Sequence, residues 1–342
     1  MRLDITCSTD DNYVQHCLVM LCSLFENNKE HDIFVHLIIN QYLSEDSKKL
    51  ISELCNNYNN RCFFYYVNNY DFSGIKYRKK RALPEACYYR MLASSLLPND
   101  VHKVLYLDCD IVVLGDLEEL FDIDYKDYGV AAVRDASPYT SLHRSELSLS
   151  LEDKAFCSGV MMMNLDYWRE NNCEEELFDF ARKERKIIYL HDQDALNFVF
   201  RHHWMALPPK WAKTPFSIIP IDGDLREFDE QEYNDDAKIL HYASPLKPWY
   251  DVWFPDRKYY MKYLKKLNLP NAKLSHASKS MRWRTRIACV RYYINRYIHP
   301  LVPNFIEIPL KDIYNYICLL TSVFNPKKLN RLMIKLWVDK YK

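Results

Sequence analysis

The chain contains very little glycine. Its 342 residues include only five glycines, and no two are close enough to form a G-x-G-x-x-G turn or a phosphate-cradling P-loop. The commonest glycine-rich nucleotide sites are therefore excluded, and any nucleotide must be held in another way.

Paired cysteines and long apolar runs are missing as well. The eleven cysteines are odd in number, scattered and without a C-x-x-C pair. They indicate reduced thiols in a cytosol rather than a disulfide framework or a zinc site. Residues 1–13 lack the apolar core of a signal peptide, and nowhere do about eighteen apolar residues run together. We therefore expect neither export by a standard signal nor a membrane-spanning helix.

Charge is distributed unevenly along the chain. The net charge is zero, but residues 272–342 carry fourteen Lys and Arg against three acidic residues. This asymmetry predicts a globular domain over 1–271 and a basic, aromatic, mostly helical segment over 272–342. Basic residues interleaved with aromatic ones are typical of segments that bind an anionic membrane surface. Nucleic-acid binding and packing against the domain are the alternatives, and we expect no nucleic-acid partner.

The first part of the chain alternates between strand and helix patterns, which predicts an α/β sheet sandwiched by helices. Ser44 is a predicted N-cap of one of these helices. The predicted strands cover 3–8, 33–39, 61–67, 104–113, 128–133, 156–164 and 237–242. The predicted helices cover 13–28, 44–58, 84–98, 174–184 and 192–202.

Two carboxylates interrupt one of these apolar strands. The stretch VLYLDCDIVV carries Asp108 and Asp110 in a setting where an unpaired charge is costly. In an extended strand the two side chains share one side, and at a bend they can chelate, so either arrangement suits a hard divalent cation. A solvated strand end with two turn acids is the alternative, and for an isolated D-x-D it is the better one.

Four motifs together resemble the retaining glycosyltransferases of family 8, most closely their bacterial lipooligosaccharide galactosyltransferase and glucosyltransferase branch. They are ITCSTDDNYVQ (5–15), VLYLDCDIVVLGDLEELF (104–121), HDQDALN (191–197) and HYASPLKPW (241–249). The resemblance covers about residues 3–263. It implies a GT-A-like nucleotide-sugar-binding sheet flanked by helices. It also implies retaining transfer of galactose or glucose from UDP-galactose or UDP-glucose to a surface glycan, either lipopolysaccharide-like or lipid-linked.

The resemblance also implies a metal site. The cation that bridges the donor diphosphate would be held by Asp108, Asp110 and His241. Cys109, between the two aspartates, would belong to the donor-binding residues. We expect Mn²⁺ rather than Mg²⁺, because an imidazole ligand favours the transition metal. Lys247 would add positive charge at the phosphates.

Further donor contacts are carried over from the matching positions of the family. The catalytic pair would be Asp192, holding sugar hydroxyls, and Gln193, near the β face of the anomeric carbon. The other donor-binding residues would be Ser8, Thr9, Asp10 and Asn12 at the base and ribose, Arg90 beside the donor, Asp135 at a sugar hydroxyl, and Ser244 near the phosphates. Ordinary turn chemistry, a helix-surface salt bridge for Arg90 and helix capping for the acids at 192 and 194 are the alternatives. Trp249 is expected to pack structurally.

The chain departs from the family pattern at two positions. Cys157 replaces the asparagine of F-N-A-G, and Ser244 replaces a glycine, so we expect catalysis with altered substrate preference. A catalytically weak or dead nucleotide-sugar-binding scaffold at a membrane is one alternative. A D-x-D phosphatase with Asp108 as nucleophile is a less favoured one, because about three predicted strands precede the motif. A self-glucosylating primer is suggested only by the 27 tyrosines. The chain is expected in the cytoplasm, peripheral on the inner face of the membrane.

Overall fold

The structure is a computed structural model, and it describes residues 1–75, 85–125, 127–135, 149–150, 153–182, 190–214, 236–243, 247–254, 256–270 and 272–293. The chain divides into two compact units, one of 1–249 with 256–273 and the other of 250–255 with the residues from 274 on. The predicted boundary between 271 and 272 stays a prediction.

The first unit alternates strands and helices, as predicted. Its strands are β1 (Arg2–Ser8), β2 (Asp32–Ile39), β3 (Arg61–Tyr66), β4 (Lys103–Leu107), β5 (Ile111–Val113), β6 (Val130–Arg134), β7 (Phe156–Asn164), β8 (Trp204–Leu207) and β9 (Ile239–His241). Its α-helices are α1 (Val14–Asn27), α2 (Glu45–Asn57), α3 (Ala93–Leu96), α4 (Glu118–Phe121), α5 (Leu165–Glu170), α6 (Cys173–Arg182), α7 (Asp192–Val199) and α8 (Arg257–Leu267). Two 3-10 helices cover Glu85–Leu92 and Pro209–Trp211.

The main sheet has seven strands in the order β3-β2-β1-β4-β7-β6-β8. β1 to β4 pair in parallel, β7 is antiparallel to both neighbours, and β8 is parallel to β6. A large core cluster packs the first 3-10 helix and α5 to α7 against sheet residues such as Tyr106, Ala132 and Met161. Ser44 caps α2 as predicted, its hydroxyl accepting a hydrogen bond from the backbone N–H of Ser47 at 3.3 Å. The α/β prediction is confirmed.

The predicted strand over 104–113 is wrong in one respect, because the chain bends in its middle. The Asp108 N–H donates to the Gly159 carbonyl at 2.9 Å, and beyond this bond the chain leaves β7. It then forms β5, which pairs with β9 in a separate two-stranded sheet. The Asp110 carbonyl already accepts a hydrogen bond from the Tyr242 N–H at 2.9 Å. The bend thus puts both carboxylates between two sheets.

The helix predicted over 84–98 has mostly 3-10 geometry. A 3-10 helix covers Glu85–Leu92, and only the four residues of α3 follow in the α conformation. Residues 88–92 are all buried. The chain is therefore helical here as predicted, with 3-10 geometry over its first eight helical residues.

The second unit is described only in part. Its helix α9 covers Lys279–Tyr293. In the same unit, Oδ2 of Asp251 lies 2.9 Å from Nδ1 of His276 and 2.6 Å from Nη2 of Arg282. The rest of the predicted basic segment, 294–342, lies outside the described residues. Among the described helices, none is both long enough and apolar enough to cross a bilayer.

Candidate functional site

Two carboxylates and an imidazole converge where the chain bends between β4 and β5. Asp108 and Asp110 lie on the bend, and His241 ends β9 directly opposite Ile111. One ligand atom from each of the three lies within 4.8 Å of the others. Nε2 of His241 is 3.3 Å from Oδ1 of Asp110 and 3.7 Å from Oδ2 of Asp108. The structure therefore brings the three predicted metal ligands together.

The same cluster has the polarity of a cation site. His241 is 2% exposed, yet its Nε2 has no hydrogen-bond partner in the described part of the chain. Burial would raise the pKa of the Asp110 carboxyl, but the charges of Lys247 and His241 outweigh it and hold that pKa below its usual value. Carboxylate oxygens with one imidazole nitrogen form a donor set for Mg²⁺ or a first-row transition metal. The residues present fit such an ion.

Gly159 in β7 leaves the space that this cluster needs. A Cβ at Gly159 would lie 2.2 Å from Cε1 of His241 and 2.7 Å from Oδ2 of Asp108. Both distances are far inside van der Waals contact, so any side chain at Gly159 would displace the imidazole or the carboxylate.

Lys247 reaches the cluster from the loop after β9. Its ammonium contacts Oδ2 of Asp110 and donates to the Tyr242 carbonyl at 2.8 Å. Burial disfavours the charged amine, but the Asp110 carboxylate outweighs this and raises the pKa of Lys247. Trp249 is buried and stacks on His16 of α1 with ring centroids 3.5 Å apart, in agreement with its predicted packing role. The loop is thereby anchored on α1.

Arg90 joins the metal cluster to the opposite side of the site. Its Nη2 lies 2.7 Å from Oδ1 of Asp108 and its Nε 3.1 Å from Oδ2 of Asp192. The guanidinium also stacks over the Tyr106 ring, 4.1 Å from the centroid. Arg90 is 4% exposed, so the alternative of a helix-surface salt bridge is wrong.

Asp192 and Gln193 begin α7 and are held in one hydrogen-bond network. The Ser158 hydroxyl donates to Oδ2 of Asp192 at 3.3 Å, and the Ser158 N–H donates to Oε1 of Gln193 at 3.1 Å. Gln193 in turn donates from Nε2 to Asp135 at 2.9 Å. Burial raises the pKa of Asp192 to about 6, although the Arg90 charge opposes the shift. The three predicted sugar-side residues therefore lie together.

Asp194 differs from its neighbours on α7. Its Oδ2 accepts a hydrogen bond from the Leu190 N–H at 3.0 Å. This local contact at the start of a helix agrees with the capping alternative for Asp194.

The predicted base and ribose residues follow the end of β1. The Asp10 carboxylate accepts hydrogen bonds from the N–H groups of Asn12 and Tyr13 at 2.9 and 3.0 Å, so it forms the turn that precedes α1. The Thr9 hydroxyl donates to the Asp10 carbonyl at 3.2 Å. The Ser8 hydroxyl is buried and has no hydrogen-bond partner among the residues described. Turn chemistry thus accounts for Asp10, and the nucleotide contacts stay predictions.

The remaining predicted donor-site residues are Cys109 and Ser244. Cys109 is buried between the carboxylates, and its Sγ donates to the Ser8 carbonyl at 3.2 Å, which ties the bend to the end of β1. Ser244 lies outside the described residues.

Sequence reasoning missed contacts made by Ser158, Tyr106 and Cys157. The Tyr106 hydroxyl donates to Oδ1 of Asp108 at 3.0 Å. Its i, i+2 spacing from Asp108 on a strand is the signal that could have found it. Ser158 and Cys157 lie in the FCSG stretch that ends beside the cluster, but their partners come from α7 and β9 and carry no local signal.

A second group of possible metal ligands lies on the surface, at His31, Asp116 and Glu118. Oδ1 of Asp116 already meets Nε2 of His31 at 3.1 Å and the Glu118 N–H at 2.7 Å. Its atoms are thus engaged in an ordinary exposed turn, and exposed acidic groups commonly occur without an ion.

The fold and the site define an α/β protein of the class that binds ligands beyond the carboxyl ends of parallel strands, here next to a cluster of side chains that could hold a divalent cation. The sequence profile of glycosyl transferase family 8 matches residues 4–252. The chain belongs to glycosyl transferase family 8 and is a glycosyltransferase, as the four motifs indicated.

Several characterised proteins are similar to it. A lipopolysaccharide 1,2-glucosyltransferase of Escherichia coli is 32% identical over 258 residues, which is 72% of this chain and 73% of that protein. General stress protein A of Bacillus subtilis is 28% identical over 270 residues, or 77% of this chain and 93% of that protein.

The fold is shared with solved transferase structures. The galactosyltransferase LgtC in complex with donor and acceptor sugar analogues superposes with a TM-score of 0.65 at 20% identity, covering 82% of this chain and 99% of LgtC. An active-site mutant of LgtC gives a TM-score of 0.68 at 20% identity, covering 83% and 100%. The GT-A-like fold class is confirmed.

Proposed function

We propose that the chain is a metal-dependent, retaining hexosyltransferase that moves galactose or glucose from a UDP-sugar to a lipopolysaccharide-like or lipid-linked glycan. The observation that carries the proposal is the half-buried cluster of Asp108, Asp110 and His241 just beyond the carboxyl end of β4. Such a cluster suits a nucleoside diphosphate, because a divalent cation held by few protein ligands completes its shell with phosphate oxygens.

The leaving-group side is formed by the cluster and Lys247. We assign Mn²⁺ to Asp108, Asp110 and His241, with Mg²⁺ as the second choice, since one ligand is an imidazole. When bound, the cation supplies Lewis-acid stabilisation of the departing diphosphate. Lys247 contacts the Asp110 carboxylate and lies next to the space for the phosphates, where its charge offsets the charge that develops on the leaving group.

The sugar side is formed by Asp192 and Gln193. Asp192 is fixed by Arg90 and Ser158, so its carboxylate is preorganised to accept hydrogen bonds from sugar hydroxyls. Gln193 is fixed at both ends of its amide, by Asp135 and by the Ser158 N–H. An amide held in this way can be presented to the β face of the anomeric carbon without reorientation, which supports displacement with retention.

The nucleoside is assigned to the turn after β1. Ser8, Thr9, Asp10 and Asn12 cup the base and ribose in this proposal, with Cys109 and Ser244 lining the donor site. The buried Ser8 hydroxyl has no hydrogen-bond partner within the described ranges, which supports a ligand there, because a buried polar group normally has a partner.

The proposed acceptor and location rest on the relatives and on the basic segment 272–342. The Escherichia coli relative is a lipopolysaccharide 1,2-glucosyltransferase, which supports a glycolipid acceptor here and supports glucose as well as galactose as the transferred sugar. The excess of basic residues over 272–342 supports peripheral binding to the anionic inner face of the cytoplasmic membrane. No nucleic-acid partner is proposed.

A panel of UDP-sugars tests this function through UDP release. We expect release from UDP-glucose or UDP-galactose with Mn²⁺ and none after chelation. Asp110→Asn should keep the fold and lose Mn²⁺-dependent UDP affinity by more than about tenfold, because even changes outside the ligand set commonly cost about 10–100-fold. Calorimetric UDP binding that is equal with and without chelator would contradict the metal assignment.

The other outcomes identify the alternatives. Tight UDP-sugar binding without turnover on any acceptor indicates the scaffold, which the Cys157 and Ser244 departures favour only weakly and the intact metal and sugar residues oppose. Phosphate release from phosphomonoesters indicates a D-x-D phosphatase. Against the latter, Asp108 is ion-paired with Arg90 and hydrogen-bonded by Tyr106, which lowers its availability as a nucleophile.

A further inference from the structure

The imidazole of His241 rests against one face of β7. Side chains two residues apart on a strand share a face, so Cys157 and Gly159 face the ring, while Ser158 meets Asp192 on the other face. Gly159 leaves room for Cε1, and Sγ of Cys157 lies 3.6 Å from Nδ1. Two same-face positions of β7 therefore determine the place and the rotation of the ring.

The two nitrogens of His241 have different surroundings. Nδ1 contacts the sulfur of Cys157, whereas Nε2 points to the carboxylates of Asp108 and Asp110 and has no hydrogen-bond partner in the described regions. A ring nitrogen that binds a cation carries no proton, so the proton of the neutral ring is on the other nitrogen. With Nε2 as the ligand, Nδ1–H is the donor and the sulfur is the acceptor.

We propose that Cys157 is a positioning residue that fixes the orientation and tautomer of His241 by accepting the hydrogen bond from Nδ1–H. The proposal rests on the metal assignment made above. Histidine ligands commonly donate their second N–H to a carboxylate, a carbonyl or water, which holds the ring and raises its basicity as a ligand. Sulfur is a weaker acceptor than oxygen. In this chain the ring is therefore held both by the contact with Sγ of Cys157 and by the shape of the space that Gly159 leaves for Cε1.

Two other roles for Cys157 can be distinguished from this one. As a direct metal ligand its sulfur would lie near Nε2, but it contacts Nδ1, which points away from the carboxylates. As a space filler it could be replaced by any apolar group of similar volume without consequence for the metal, and this difference can be tested.

The test is the Mn²⁺ affinity of the full-length chain without donor, measured from the electron paramagnetic resonance signal of free Mn²⁺. Cys157→Ala and Cys157→Val remove the acceptor, the second with little loss of volume, and Cys157→Ser keeps an acceptor. We expect both apolar variants to bind Mn²⁺ about 10–100-fold more weakly and Cys157→Ser to recover most of the affinity. Cys62→Ala, at a partly buried cysteine of β3 outside the site, is the matched control and should bind as the unaltered chain does.

Three results would overturn the proposal. Unchanged Mn²⁺ affinity in both apolar variants would make Cys157 a filler. A serine variant as weak as the alanine variant would mean that the hydrogen bond is not the cause. If the unaltered chain binds no Mn²⁺ and Asp110→Asn changes nothing, the metal assignment fails and the proposal fails with it, which is distinct from the first two results. Thermal unfolding of each variant without Mn²⁺ verifies that the fold is kept.

Discussion

Single residues of β7 limit the space around the proposed cation site, and Gly159 is the first to be tested. In Gly159→Ala the new Cβ would lie 2.2 Å from Cε1 of His241, so the ring or the strand must shift. Overpacking of this kind typically costs about 1–3 kcal/mol of stability. We expect Mn²⁺-dependent UDP affinity to fall by about tenfold or more while the protein still folds, measured by calorimetry.

Gly115→Ala is the control for this substitution. A Cβ at Gly115 would also come close to a neighbour, 2.4 Å from Cδ of Lys238, but that neighbour is a flexible side chain that can move away. Equal loss of UDP affinity in both variants would mean that general crowding, and not displacement of the His241 ring, causes the loss.

A second residue-scale prediction concerns the sugar pocket. Asp192→Asn keeps the size of the side chain and one acceptor, but it removes the charge paired with Arg90. We expect sugar transfer to fall by about 2–4 kcal/mol in transition-state stabilisation, as for other preorganised electrostatic groups. UDP itself should bind nearly as before. A parallel loss of UDP affinity, measured by titration, would place Asp192 among the structural residues instead.

At the scale of elements, α1, α8 and the loop that carries Lys247 meet at His16. Its ring stacks on Trp249, and its Nδ1 lies 2.7 Å from the Tyr260 hydroxyl. Burial lowers the pKa of His16 from 6.5 to about 4. As the pH falls, unfolded chains therefore take up a proton before folded chains do. The stability associated with neutral His16 is complete above pH 6.5 and is lost as the pH falls towards 4.

This pKa shift predicts a pH-dependent difference between His16→Phe and the unaltered chain. The unaltered chain should lose on the order of 3 kcal/mol more unfolding free energy than the variant between pH 7 and pH 4. Denaturant unfolding at several pH values measures both slopes. His202→Phe, at a side chain that is 61% exposed, is the control for replacing a histidine by an aromatic residue. Identical slopes in the unaltered chain and His16→Phe would contradict the prediction.

The sequence predicted most elements but not how they bend and meet. Apolar patterns placed β1, β2, β7 and α1 within about one residue of their observed bounds, because these elements are apolar runs that are buried over nearly their whole length. The break at Asp108–Asp110 was not determined by the pattern, since apolar residues continue on both sides and only pairing with β9 reveals it. β8 was missed, because its four residues are too short to show a period.

The candidate site shows the same division. Asp108, Asp110 and His241 were predicted from motifs, and their convergence follows from the order of strands. Ser158 and Cys157 could not be assigned in this way. Their significance depends on which face of β7 each one occupies, and that register is set by β4 and β6 rather than by the residues themselves.

At the scale of the whole molecule, the uneven charge gives a prediction about location. Each Lys or Arg near an anionic surface contributes roughly 1 kcal/mol, and the attraction decays over a Debye length of about 8–10 Å. The full chain should therefore sediment with anionic vesicles at low salt and be released at high salt. A chain truncated after Lys273, where the first compact unit ends, should stay in the supernatant and still release UDP from the donor.

Neutral vesicles provide the control for this experiment, and circular dichroism shows whether the truncated chain is folded. If the full chain ignores anionic vesicles, or if truncation unfolds the first unit, the segment from 274 on is a structural part of the enzyme and the membrane assignment is wrong.

The two-sided use of β7 also constrains how this enzyme can be recombined with its relatives. Residues 157 and 159 face the cation cluster, and residue 158 faces the sugar-side network, so the two half-sites are interleaved along one strand. A chimera joined inside 156–159 takes one half-site from each parent, and an insertion of one residue there exchanges the two faces. Segment swaps intended to alter donor choice should therefore carry 156–164 together with 190–199 and 239–241, as a single block.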